Sequence, residues 1–185
     1  LNIVGGCNVQ LAISADSNEF YVIEVNPRAS RSSALASKAI GYPIAKIAAS
    51  ICLGENLTQI LNPVTQKTFA SHEPAVDYVI LKIPRWPFDK FINSNRNLGT
   101  QMKATGEIMS IGRTFEEALL KGVRSLELDC DDLFCDKYDH ETGTQLLTLM
   151  RQATDERLWQ IAAAFRKNVT VKEVASATRI STFFL

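Results

Sequence analysis

Gln10, Glu24 and Asn26 carry the side chains in this sequence that are best suited to bind a divalent metal ion. Hard cations such as Mg²⁺ and Mn²⁺ prefer carboxylate and amide oxygens, and one carboxylate can bridge two of them. Asn8 stands at the same even-numbered spacing and adds another amide. Because the group holds a single carboxylate, it keeps little negative charge and can accept a polyphosphate beside its cations.

Two arginines, Arg28 and Arg31, follow this group closely in the sequence. The guanidinium group is a planar donor that suits phosphate or carboxylate oxygens, and it stabilises the charge that develops in phosphoryl transfer. A strand face with Gln, Glu and Asn is also typical of an ordinary solvated sheet surface. The pattern alone therefore leaves a phosphoryl-transfer site and a plain surface both open.

The chain around these residues predicts a β-hairpin. Two runs rich in strand-forming residues span 8–13 and 20–26, and a cluster of turn-forming residues spans 16–19. A turn centred on Ser17 would pair the two runs in antiparallel register. The hairpin would then carry its polar residues on one face, because side chains alternate between the two faces of a strand.

That register predicts which side chains meet. Gln10 would lie opposite Glu24, and Asn8 would lie opposite Asn26. All four positions are even, so the same face would carry all four oxygen-bearing side chains. The odd positions would form the apolar face: Val9, Leu11, Ile13, Tyr21, Ile23 and Val25.

Further along the chain, the sequence predicts alternating helices and strands. A helix over 32–39 would have a serine N-cap and end at Gly41, and a second helix would run from Ile44 to Cys52. Strands are expected over 76–83 and 106–112. A capping pattern at 114–117 would then open a helix that runs to about Leu126.

The character of the sequence changes near residue 128. Residues 129–141 are rich in Asp and Glu, which predicts a solvated linker, although an acidic metal-binding loop is an alternative. Beyond the linker, apolar residues recur at helical spacing. We therefore expect an α+β domain over 1–127 and a smaller all-α segment over 128–185.

The composition excludes several classes of partner. The 185 residues carry 20 basic and 20 acidic side chains, so no overall charge favours nucleic acid or an anionic membrane. No apolar run reaches the roughly 20 residues that span a bilayer. The four cysteines are too scattered for a disulfide framework, which favours reduced thiols in a cytoplasmic protein. A metal cluster of Cys130, Cys135 and His140 is the less favoured alternative.

One string closely resembles the ATP-grasp signature of the carbamoyl phosphate synthetase large subunit. Residues 24–43 read Glu-Val-Asn-Pro-Arg-Ala-Ser-Arg-Ser-Ser-Ala-Leu-Ala-Ser-Lys-Ala-Ile-Gly-Tyr-Pro. Further matching strings follow in the family's order at residues 69–79, 82–85, 101–103 and 106–114. The resemblance is dense over about 5–127 and thinner over 157–162 and 183–185.

The resemblance implies both a fold and an activity. The fold would be the C-terminal ATP-grasp subdomain, an antiparallel sheet with flanking helices, followed by part of a helical oligomerisation domain. The Ser-Ser-Ala-Leu-Ala-Ser wording at 32–37 is similar to the amino-terminal synthetase half. That half makes carboxyphosphate from bicarbonate and ATP, and then makes carbamate from ammonia on the way to carbamoyl phosphate.

The resemblance also assigns roles to individual residues. Gln10, Glu24 and Asn26 would be metal ligands, while Asn8 and Arg28 would contact the nucleotide together with them. Arg28 and Arg31 would act in catalysis by holding phosphoryl oxygens. The implied cofactors and partners are two Mg²⁺ or Mn²⁺ ions, K⁺, ATP, bicarbonate, a glutaminase subunit or domain, and a second copy of the chain bound through the helical segment. The product would serve pyrimidine or arginine synthesis.

We expect residues 1–185 alone to lack synthetase activity, because an ATP-grasp site closes nucleotide between two subdomains and only one is matched. A different function is that the chain acts as a self-association module without catalysis. A biotin carboxylase shares the metal-binding Glu and Asn but lacks the Arg-Ser-Ser-Ala-Leu-Ala-Ser-Lys string of residues 31–38. It is therefore disfavoured.

Overall fold

The computed structural model describes residues 1–14, 17, 19–128 and 130–185. By internal contacts the chain forms two compact units, Leu1–Asp77 and Tyr78–Leu185. Within the described residues, the first unit has two strands and two helices, and the second has two strands and the remaining helices. The predicted α+β class is therefore confirmed. None of the helices in the described part of the chain is long and apolar enough to cross a bilayer.

The first unit contains the predicted hairpin and helix pair. Strands β1, Asn8–Ile13, and β2, Phe20–Asn26, pair antiparallel. Helices α1, Arg31–Ile40, and α2, Ile44–Cys52, follow. A small core forms around Ile47, Ile60 and Ala70, and the Tyr42 hydroxyl donates to the Ala70 carbonyl at 2.7 Å. The predicted turn includes Asp16 and Asn18, which lie outside the described residues.

The hairpin register agrees with the prediction at one end and departs from it at the other. Asn8 pairs with Asn26, and Gln10 pairs with Glu24, as expected. A β-bulge then shifts the register between Gln10 and Leu11, so that Leu11 faces Val22. The extra residue, Ile23, shifts the β2 residues before it by one position relative to β1, and side chains alternate along a strand. The predicted apolar face is therefore wrong at Tyr21, which lies opposite Ala12 instead.

Helix α1 begins one residue earlier than predicted. Ser30 is its N-cap and accepts a hydrogen bond from the Ser33 backbone, while the Ser33 side chain accepts one from the Ser30 backbone. This reciprocal pair satisfies two of the unpaired N–H groups at a helix start. Gly41 ends the helix with φ of +65°, a backbone geometry that glycine adopts without strain.

In the second unit, a two-stranded sheet packs against a helix. Strands β3, Val79–Arg85, and β4, Gly106–Gly112, pair antiparallel, and α3, Phe115–Ser125, lies against them. Strand β3 begins three residues later than predicted and includes Pro84, which a strand at the edge of a sheet can accommodate. The Thr114 side chain caps α3 by accepting from the Glu117 backbone.

Three helices complete the second unit: α4, Gly143–Leu149, α5, Arg157–Arg166, and α6, Val171–Thr178. They share one core with the end of α3, formed by Val123, Leu126, Tyr138, Leu146, Met150, Trp159, Ile161, Ala163, Ala164 and Val174. The predicted domain boundary at 127/128 falls within this unit. The assignment of 1–127 and 128–185 to two different domains stays a prediction.

The acidic segment 129–141 is more than a solvated linker. Tyr138, in a short 3₁₀ helix over Asp136–Tyr138, is 5% exposed and belongs to the core. The Trp159 indole also donates to the Asp132 carbonyl at 3.1 Å. The expectation is therefore wrong at these positions, because an aromatic ring and a backbone acceptor tie the segment to α5. Asp129 lies outside the described residues.

Candidate functional site

The hairpin places the four predicted oxygen-bearing side chains together on one face. Asn8 and Asn26 face each other, as do Gln10 and Glu24, and each strand contributes residues two apart. Side chains that are directly opposite in an antiparallel pair lie about 5 Å apart at Cβ. Gln10 and Glu24 are exposed, while Asn8 and Asn26 are half-buried. The four therefore form a compact patch that solvent and ligands can reach.

Within this patch, the Asn26 side chain orients Glu24. Its Nδ2 donates to Glu24 Oε1 at 2.9 Å. The hydrogen bond uses one of the two carboxylate oxygens and leaves the Asn26 amide with its carbonyl oxygen as an acceptor. The pair can therefore present one carboxylate oxygen and one amide oxygen side by side.

Asn8 connects the patch to the start of α1. Its Nδ2 donates to Ser32 Oγ at 3.0 Å, and Ser32 Oγ lies 2.6 Å from the Ser30 hydroxyl. Ser30 is the N-cap of α1, so a continuous chain of hydrogen bonds runs from β1 to the first turn of the helix. The sequence predicts a serine N-cap for this helix, but it does not predict that Ser32 contacts β1.

Arg28 lies between β2 and α1, and Arg31 lies in the first turn of α1. Arg28 follows a tight turn in which its N–H donates to the Asn26 carbonyl at 2.8 Å. Its Nη1 donates to the Ala29 carbonyl at 3.1 Å, and Arg31 is the first residue of α1. Both side chains are exposed. Because the N-terminal end of a helix also favours anions, this segment provides a cationic rim beside the oxygen-bearing patch.

The donor set fits a hard divalent cation that is shared with a ligand. One carboxylate and neighbouring amide oxygens are suitable groups for Mg²⁺ or Mn²⁺. Across the described residues, no group of three or more His, Cys, Asp and Glu side chains could hold a metal ion. Cys130, Cys135 and His140 are among the residues searched, and they do not form such a group. A cation at the hairpin would thus depend on the amides and on oxygens that the ligand supplies.

Comparison with protein families identifies both parts of the chain. Residues 1–60 match the model of the carbamoyl-phosphate synthase L chain, ATP binding domain, and this range contains every residue of the candidate site. Residues 107–185 match the carbamoyl-phosphate synthetase large chain, oligomerisation domain, which covers most of β4 and all the later helices. The two matched domains belong to the same large chain and together cover most of the sequence. The resemblance of the ATP-grasp string is thereby confirmed, and the chain belongs to the carbamoyl-phosphate synthetase large-chain family.

Proposed function

We propose that this chain forms one wall of the site that phosphorylates bicarbonate with ATP in the amino-terminal synthetase half. The observation that carries the proposal is the paired register of Asn8 with Asn26 and Gln10 with Glu24. The order of the matches, an ATP binding domain followed by an oligomerisation domain, supports the amino-terminal half. Carboxyphosphate would be the product at this site, and ammonia from a glutaminase partner would convert it to carbamate.

The hairpin residues would bind the metal and the nucleotide. Gln10, Glu24 and Asn26 would hold one or two divalent cations, and Asn8 would fix the helix that borders the phosphates. A bound Mg²⁺ or Mn²⁺ neutralises phosphate charge. K⁺ is part of the same proposal, although the described side chains single out no separate position for it.

Arg28 and Arg31 would bind and orient the reacting groups. Their planar donors can hold the phosphoryl oxygens and the bicarbonate oxygens in line, which is most of what phosphoryl transfer requires of a protein. Since both side chains are exposed, their contribution depends on closure of the site around the ligands. We therefore propose that turnover requires a second ATP-grasp subdomain opposite this wall.

Cation binding tests the proposed ligands directly. Mn²⁺ is titrated into the 185-residue chain in the presence of ATP, and electron paramagnetic resonance measures the concentration of free Mn²⁺. Glu24→Gln should weaken Mn²⁺ binding about tenfold or more, because the site loses its one carboxylate. The matched control is Glu55→Gln, at an exposed position outside the hairpin. Equal Mn²⁺ affinity in the two variants would exclude the hairpin as the cation site.

Turnover by the chain alone is a separate test. ADP release with and without bicarbonate should be indistinguishable from a protein-free blank for residues 1–185. The physical reason is that one wall cannot exclude water or enclose the nucleotide. Bicarbonate-dependent ADP release that Glu24→Gln abolishes would refute the need for a second subdomain, while supporting the site itself.

Self-association is a second candidate function, and two observations favour it. Residues 107–185 match an oligomerisation domain, and the same unit exposes large aromatic side chains: Phe134 at 70%, Phe183 at 81% and Phe184 at 55%. Light scattering after size-exclusion chromatography should give a mass above that of the 20.5 kDa monomer, falling on dilution. A constant monomer mass at high protein concentration would argue against self-association. Oligomers that do not bind Mn²⁺·ATP would favour self-association over catalysis as the function of the chain.

A further inference from the structure

A cavity of about 450 Å³ lies in the second unit, and none of its lining residues belongs to the candidate site. It is bounded by the end of β3 and the loop after it, the segment after α3, and the beginning of α5 with the residues just before it. All of its lining residues fall between 83 and 159. Its volume is within the range of sites that hold small organic ligands, about 300–1,000 Å³. The proposed phosphorylation reaction makes no use of this space.

The walls of the cavity are mainly apolar and aromatic. Three large rings, Trp86, Tyr138 and Trp159, line it together with Ile83, Leu126, Leu128 and Leu158. Flat aromatic surfaces favour stacked or edge-to-face contact with another ring. The lining therefore favours a flat, apolar ligand over a sugar or a polyphosphate.

The charged side chains around the cavity are already paired with one another. Three basic groups meet three acidic groups: Arg85–Asp89 at 3.0 Å, Arg96–Asp155 at 2.5 Å, Arg96–Glu156 at 2.8 Å, and Lys137–Glu156. A charged ligand would have to displace one of these ion pairs or remain uncompensated. The electrostatics of the cavity therefore favour a neutral ligand.

One polar group of the lining is left without a partner. The hydroxyl of Thr154 is shielded from solvent and makes no hydrogen bond with the described residues. A buried hydroxyl without a partner costs free energy, so a ligand that pairs with it gains affinity. Pairing with a ligand would require a rotation of about 120° about the Cα–Cβ bond to another staggered position, because the hydroxyl is shielded in its present one.

The geometry points to a binding site for a flat, neutral aromatic or heteroaromatic compound with one hydrogen-bonding group. The ring system would lie among Trp86, Tyr138 and Trp159, and its polar group would pair with the Thr154 hydroxyl. The ion-paired side chains of the lining would border the ligand on its polar side.

The chain carries its own reporters for this site, because both of its two tryptophans line the cavity. Nitrogen-15 NMR of the 185-residue chain resolves their indole N–H signals, and Trp86→Phe assigns them. Three probes are titrated. Indole is the expected ligand type, indene has the same shape but no hydrogen-bonding group, and indole-5-carboxylate carries a negative charge. Indole should shift both signals to saturation and bind more tightly than the other two.

Two variants and one control decide the outcome. Thr154→Val should weaken indole about threefold to tenfold and leave indene unchanged. Leu158→Phe, which fills the cavity, should weaken both, whereas Leu53→Phe at an exposed position of the first unit should not. If Leu158→Phe does not fold, Thr154→Val and the probe series still decide. The assignment would be overturned if the indole N–H signals did not saturate with indole. It would also be overturned if indole-5-carboxylate bound as tightly as indole, or if Thr154→Val bound indole as tightly as the unchanged protein.

Discussion

Ser32 illustrates at the residue scale how the candidate site is held together. Its hydroxyl contacts the Asn8 amide on β1 and the Ser30 hydroxyl that caps α1. The sequence shows a serine-rich helix start, but it does not show that one of these serines reaches a strand 24 residues earlier. Only the folded hairpin brings them within hydrogen-bonding distance.

Ser32→Ala should therefore destabilise the first unit by about 1 kcal/mol, the usual net value of a hydrogen bond. Urea unfolding followed by circular dichroism measures the free energy of unfolding. Tryptophan fluorescence does not follow this unit, since Trp86 and Trp159 both lie in the second. Ser71→Ala, at an exposed turn, is the control, and equal unfolding free energies for the two variants would contradict the proposed link.

Glu156 is a carboxylate of the second unit with three side-chain partners among the described residues. It accepts from the Tyr138 hydroxyl at 2.6 Å and pairs with Arg96 at 2.8 Å and with Lys137. Burial alone would raise the pKa of Glu156, but the hydrogen bonds from Lys137 and Tyr138 and the nearby charge of Arg96 lower it overall. Burial, reinforced by this carboxylate, raises the pKa of the Tyr138 hydroxyl.

A lowered pKa makes the second unit sensitive to acid. The stabilisation from Glu156 is complete above the pKa of the unfolded chain and is lost as the pH falls through the lower folded-state pKa. Glu156→Gln should cost about 2 kcal/mol near neutral pH, where charged hydrogen bonds are lost. It should also flatten the fall in melting temperature between about pH 5 and pH 3.

Thermal melts followed by tryptophan fluorescence report on this unit directly. The control is Glu127→Gln, an exposed carboxylate of the same unit. It should keep the pH dependence of the unchanged protein. A Glu156→Gln variant with that same pH dependence would show that Glu156 is not the group responsible.

At the scale of single elements, caps and turn residues identified α1, α2 and α3, whereas the caps of α4 and α6 at Thr142 and Thr170 were not predicted. Gly41, Pro43 and the Thr114 cap lie at the boundaries that local backbone chemistry predicts. The β-bulge after Gln10 was not predicted, because it adds one residue to β2 without a distinctive residue type. The bulge leaves the Gln10–Glu24 pair intact and changes only the pairs beyond it.

Strand β4 offers a matched pair of glycines. A Cβ on Gly112 would lie 2.6 Å from the Ala118 backbone nitrogen, whereas a Cβ on Gly106 meets nothing within 4 Å. Gly112→Ala should cost about 1–3 kcal/mol, since backbone of α3 would have to move. Gly106→Ala should change the free energy of unfolding by no more than about 0.5 kcal/mol. Urea unfolding followed by tryptophan fluorescence compares them, and equal losses would mean that the end of β4 and α3 are not closely packed.

At the scale of the whole molecule, the second unit has one core that crosses the predicted boundary at 127/128. Val123 and Leu126 pack with Leu146, Met150 and Trp159. Residues 78–185 should therefore fold alone with the tryptophan emission of the full chain. Residues 128–185 should unfold at lower urea concentration, because they lack the α3 side of the core. Equal urea midpoints for the two polypeptides would instead favour the division at 127/128.

The sequence by itself determined the family, the residue types of the site, and the register that pairs Gln10 with Glu24. It could do so because these features depend on neighbouring residues, on strand alternation and on a long, specific string. The tertiary structure decided the bulge, the connection from Asn8 through Ser32 to α1, the burial of Tyr138 and the cavity around Trp86 and Trp159. Each of these depends on contacts between segments far apart in the chain, which local patterns do not encode.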